Sequence, residues 1–217
     1  MVAPFLPDEE KVAAIRDALP ATGAGIYLDT AAAGPLPVET HRAMREWADW
    51  ELRVGRVAEE ADDEYRARLD EARGVLAAVL VAPVERVEVA PDVGSAFRAA
   101  AAAMRWRRGE RIVALSSLEP PVHAALAALA ATVGGQLVEV EVPSAAADDV
   151  VKLVARAVTA DATLVAVPHV SPVDGTLLPV AELAGVAHGA GARIAVDGSL
   201  AVGAPLATGR PAAFQRP

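Results

Sequence analysis

The sequence predicts an α/β fold, a mostly parallel sheet with helices on both faces. Two observations carry this. From Val87 onward, short apolar runs at 87–90, 112–115, 137–142, 164–167 and 194–196 alternate with helical stretches at 94–106, 122–133, 147–158 and 180–190. Strands alternating with helices of this length build parallel sheets. The runs are also too uniformly apolar to face water on one side, so both faces of the sheet must be covered.

The region before Val87 reads differently. Residues 8–19 form a short predicted helix, with Pro7 ahead of it and Glu9 and Glu10 in its first turn, where carboxylates oppose the positive helix end. Residues 26–28 are extended and 29–37 are a Gly/Pro-punctuated loop. Residues 38–52 are helical. Residues 59–80 form a longer helix, with Leu69, Ala72, Arg73, Leu76 and Leu80 at helical spacing. A helical segment, 1–86, thus leads into an α/β part, 87–217, and the whole is expected to be one compact domain. The Pro/Gly/Ala-rich tail 203–217 is expected to be irregular.

Composition narrows the function. With 53% hydrophobic residues, the chain is expected to be soluble and globular with a sizeable core. A net charge of -9 leaves no basic face for nucleic acid. The absence of cysteine excludes disulfides, thiolate nucleophiles and zinc–thiolate sites. His41, His123, His169 and His188 lack paired-ligand spacing, so no metal is expected. No basic-then-apolar leader is visible and no apolar run is long enough to span a bilayer, so a cytoplasmic address without membrane contact is expected. Lysine chemistry has two candidates only, Lys11 and Lys152.

Ligands of open parallel sheets gather at the carboxyl ends of strands, which directs attention to loops 91–94, 116–121, 168–175 and 197–203. None holds a G-x-G-x-x-G, a Walker lysine motif or a G-x-S-x-G elbow. Three segments carry a different signal. They are Ile26-Tyr27-Leu28-Asp29-Thr30-Ala31-Ala32-Ala33-Gly34-Pro35-Leu36-Pro37, then His169-Val170-Ser171-Pro172-Val173-Asp174-Gly175, and finally Ala195-Val196-Asp197-Gly198-Ser199-Leu200-Ala201-Val202-Gly203. In order and in spacing they resemble the class V aminotransferase and cysteine desulfurase family of fold-type I pyridoxal-phosphate (PLP) proteins. The resemblance implies the large domain of such an enzyme, with the C-terminal small domain absent.

It also implies roles for particular residues. Asp197 stands where the family's aspartate pairs with the protonated pyridine nitrogen and keeps the ring an electron acceptor; its other reading is a turn cap after a buried strand. Gly94 and Ser95 stand at the phosphate loop, where helix N-terminal amides bind the dianion. Asp92 beside them would repel phosphate, or serve as a helix N-cap. His169 and Ser171 belong to the second segment. His123 lies two positions beyond the ring-stacking place, which Pro120 and Pro121 fill; it reads as a stacking group or as a partly buried helix residue. Pro172 and Leu200 replace an asparagine and a glutamine that would contact the ring. The Schiff-base lysine of the family lies downstream of the aspartate, and the residues after Asp197 include neither lysine nor histidine.

Two functions are therefore expected. In one, the chain is half of a split PLP enzyme acting on an amino acid or a C–S bond, and a partner supplies the lysine. In the other, it is an inert pseudoenzyme or scaffold subunit pairing with a related complete protein. Both imply a homo- or hetero-oligomer, as the resembled family is dimeric.

Overall fold

Strands β1 (Arg111–Leu115), β2 (Gln136–Val140), β3 (Ala162–Pro168) and β4 (Arg193–Asp197) form one parallel sheet in the order β2-β1-β3-β4. The computed structural model describes residues 8–57, 59–142 and 147–203, so most of the tail expectation lies outside the described residues. Alternation along the central strands explains how both faces close. Ile112, Ala114, Leu164 and Ala166 pack with Phe97, Val122 and Leu126 from one set of helices. Val113, Leu115, Val165 and Val167 pack with Val150, Val154 and Leu183 from the other. Those helices are α4 (Val93–Ala102) and α5 (Pro120–Val133) on the first face, and α6 (Ala147–Ala157) and α7 (Val180–Gly189) on the second.

The connections are β1-α5-β2, β2-α6-β3 and β3-α7-β4. Chain direction across the sheet reverses between β1 and β3, and a crevice opens at the carboxyl ends of strands where such a reversal occurs. The helix boundaries have local causes. α5 begins at Pro120, earlier than predicted, because a proline in the first turn loses no helical hydrogen bond. It ends at Gly134, whose φ of 65° is the left-handed cap glycine favours. α4 stops at Ala102, short of the predicted 106, and the Trp106 indole N–H donates to the Ala101 carbonyl at 2.8 Å.

One predicted strand is absent. Among the described residues, 87–90 pair with no strand. A strand persists only where a neighbour takes its N–H and C=O groups. The Val87 carbonyl instead accepts from the Arg73 guanidinium at 3.0 Å.

The chain divides into two compact units, residues 1–72 and 73–217. The first holds α1 (Glu9–Ala18), α2 (Val38–Val54) and most of α3 (Glu59–Leu80). Asp8 caps α1 by accepting from the Glu10 N–H at 3.0 Å. Trp47 stacks on Trp50 at 5.1 Å, and the Arg68 guanidinium lies 5.8 Å from the centre of the Trp47 ring. Neither α1 nor α2 contains a buried residue. Among the described residues, no helix is long and apolar enough to cross a membrane.

Candidate functional site

β3 and β4 end side by side, and three predicted site residues meet there. The His169 N–H donates to the Asp197 carbonyl at 2.8 Å, and the His169 carbonyl accepts from Leu178 at 2.9 Å. Ser171 follows, buried, with its main chain exchanging bonds with Thr176 and Gly175, both at 2.9 Å. Its hydroxyl accepts from Val173, so Ser171 shapes the loop. Burial holds the His169 imidazole below its usual range.

Asp197 is 7% exposed and is, with Ser171, one of the two buried polar residues among the described residues. Its Oδ1 accepts from the Ser199 N–H at 3.0 Å and from the Ser199 hydroxyl at 2.5 Å. The turn-cap reading is thus observed. Only one oxygen is used for it, however, and Oδ2 has no hydrogen bond among the described residues. A buried carboxylate with a spare oxygen at a strand-end crevice suits a protonated ring nitrogen.

The α4 N-terminus does not suit a phosphate as it stands. Asp92 caps it: Oδ1 accepts from the Ser95 N–H and Oδ2 from the Ser95 hydroxyl, both at 2.7 Å. The Ser95 hydroxyl and N–H hold the Asp92 carboxyl below the usual carboxylate range. Ser95 therefore spends both donors on an internal anion, and its hydroxyl accepts from Arg98 at 2.7 Å. Gly94 has a packing reason of its own. A Cβ there would lie 2.9 Å from the Pro121 carbonyl oxygen, where α5 begins.

His123 sits beneath the end of β1. Its Nε2 is 3.0 Å from the Leu115 carbonyl. Its Nδ1 is 3.5 Å from Glu139 Oε1, an ion-pair separation without a hydrogen bond, so the atom is buried and unbonded. The ring is held between β1 and β2, which favours the reading of a partly buried helix residue. Sequence reasoning passed over Ser117. Its hydroxyl is buried with no hydrogen-bond partner among the described residues, and its only signal was membership of the 116–121 loop. Of the two lysines, Lys152 is exposed on α6 and pairs with Asp149 at 3.1 Å, and Lys11 is exposed on α1. Neither lies in a strand-end loop.

This architecture is the large-domain half of a PLP-enzyme fold. It superposes with a TM-score of 0.78 on a mutant of C-DES with glycine covalently linked to its PLP cofactor, at 20% identity, covering 91% of this chain and 51% of that one. The apo cysteine desulfurase of Thermococcus onnurineus NA1 gives a TM-score of 0.68 at 24% identity, with 90% and 48% covered. In sequence, the chain is 28% identical over 186 residues to a probable cysteine desulfurase of Methanothermobacter thermautotrophicus, covering 84% of this chain and 46% of that protein. The chain thus spans about half the length of the relatives it matches. Residues 26–205 match the class-V aminotransferase family, and the chain belongs to it.

Proposed function

We propose that this chain forms the ring-nitrogen side of a class V PLP site, and that further polypeptide supplies the lysine and the rest of the fold. The observation that carries the reading is Asp197, buried at the end of β4 with one carboxylate oxygen committed to Ser199 and one uncommitted. Bound PLP would supply an electron sink for a substrate carbanion. The chain's own contribution is to hold a negative charge where the ring nitrogen carries its proton, and Ser199 orients that carboxylate. Amino-acid chemistry at a C–S bond is the favoured reaction class, because the relatives above include cysteine desulfurases.

A second reading, an inert subunit that pairs with a complete relative, is favoured by one specific observation. The Asp92 carboxylate occupies the Ser95 donors that a phosphate would need, and Pro172 and Leu200 offer no side-chain donors. The two readings part on PLP binding. PLP is added to the purified chain, alone and with a lysine-bearing polypeptide, and retention and the visible spectrum are recorded after dialysis. Retention by the pair, weakened in Asp197→Ala, is the expected result. No retention under either condition sinks the PLP reading and leaves the inert subunit.

A further inference from the structure

The ring side and the phosphate side of the expected cofactor fall on one rim of the sheet. Asp197 ends β4, and Pro121 opens α5 just after β1. The strands are parallel, so both residues lie at their carboxyl ends. The α4 N-terminus meets the same rim, because a Cβ on Gly94 would stand 2.9 Å from the Pro121 carbonyl oxygen.

An acid stands where a phosphate dianion would be held. Asp92 Oδ1 accepts from the Ser95 N–H and Oδ2 from the Ser95 hydroxyl, both at 2.7 Å. The Asp92 carbonyl accepts from the Ala96 N–H at 3.0 Å, and the Gly94 N–H adds a weaker hold on the carboxyl. Arg98, one turn further on, donates to the Ser95 hydroxyl at 2.7 Å and sets its charge against that of Asp92. Amide, hydroxyl and guanidinium are the groups that bind phosphate at a helix start. All three kinds already serve one internal anion here.

We propose that Asp92 is this chain's own substitute for the cofactor phosphate, so that a vitamin B6 ring at this rim gains no affinity from a 5′-phosphate. The inference rests on the reading of Asp197 as the ring partner, and it widens the ligand class from the phosphate ester to the unphosphorylated ring. A phosphate enters only by expelling the Asp92 carboxylate. Losing an N-cap costs about fivefold in an equilibrium, and a dianion beside the expelled carboxylate adds like-charge repulsion. The phosphate's contacts with Ser95 and Arg98 offset that loss and leave no gain.

Pyridoxine and pyridoxine 5′-phosphate differ by the phosphate alone, and without an aldehyde neither reacts with Lys11 or Lys152. Each is titrated into the full 217-residue chain, and the Ser95 and Ser199 amides are followed by NMR. The expected result is a Kd equal for the two within about twofold. Asp92→Gly keeps a residue that helices accept at the N-cap. It should tighten the phosphorylated form about tenfold and leave pyridoxine unchanged. Arg98→Gln added to Asp92→Gly should take back part of that gain. Millimolar inorganic phosphate should leave the parent's Ser95 amide nearly unmoved and shift it clearly in Asp92→Gly.

A parent chain that binds the phosphorylated form about tenfold more tightly than pyridoxine, with Ser95 shifting, overturns the proposal. So does an Asp92→Gly variant that gains nothing for either phosphate ligand. Inorganic phosphate separates this inference from the ring reading. If pyridoxine does not bind while inorganic phosphate still distinguishes Asp92→Gly from the parent, the ring reading falls and the role of Asp92 stands. If Asp197→Ala releases pyridoxine while inorganic phosphate shifts Ser95 equally in parent and Asp92→Gly, the role of Asp92 falls and the ring reading stands.

Discussion

Gly94→Ala separates two reasons for having glycine at the start of α4. If the residue serves only close approach of a phosphate, alanine in the ligand-free chain restricts the unfolded state and stabilises by about 0.4–1 kcal/mol. The structure predicts the opposite sign. The new Cβ would sit 2.9 Å from the Pro121 carbonyl oxygen and 3.2 Å from Asp92 Oδ1. Pro121 is main chain in the first turn of α5, so relief requires the two helices to part by about half an ångström. Overpacking of this kind costs about 1–3 kcal/mol, and the helix preference of alanine over glycine returns about 1. The net loss is about 1 kcal/mol, a fall in Tm of about 2–4 °C for a chain of this size. Thermal unfolding followed by circular dichroism, without phosphate in the buffer, reads the difference. A Tm that is unchanged or raised refutes the packing explanation.

Three further outcomes follow from the same geometry. Ser117→Ala removes a buried hydroxyl that has no partner; denaturant unfolding should show a variant as stable as the parent or more so, by up to about 1 kcal/mol. Asp92 has a folded-state pKa below 3.8, so its stabilisation is present above the unfolded value and is lost as pH falls through the folded one. Asp92→Asn should therefore flatten the acid limb of the stability profile, and should strengthen binding of inorganic phosphate at the Ser95 amide as read by NMR titration. His169 should titrate below 6.5 in NMR, because burial disfavours its cation. The stability it contributes is full above 6.5 and declines as pH falls through the folded value, and His169→Gln should remove that component.

Much of this was legible from residues alone. The apolar runs at 112–115 and 164–167 became the doubly covered strands β1 and β3, because a strand with helices on both faces must be apolar at every position. The segments around Asp29, His169 and Asp197 identified the family, and the adjacency of His169 and Asp197 followed once β3 and β4 paired. The failures share a cause, dependence on a partner distant in sequence. Residues 87–90 have the composition of a strand, yet the Arg73 side chain takes the Val87 carbonyl and, among the described residues, no strand pairs with them. Gly94 read as a ligand contact because its close neighbour, Pro121, belongs to another helix. The Asp92 cap was visible as an alternative, since the Asp92–Ser95 spacing is that of an N-cap and N3 pair. Nothing in the pattern told that it would take both Ser95 donors.

The measurement that bears most directly on the half-site is the protonation of the PLP ring nitrogen, read by 15N NMR of labelled cofactor titrated into the full chain with a lysine-bearing polypeptide. The expected result is a bound nitrogen that stays protonated at a pH where the free cofactor has lost that proton, and loses it in Asp197→Asn. A bound ring that is unprotonated beside Asp197, or one that stays protonated in Asp197→Asn, contradicts it.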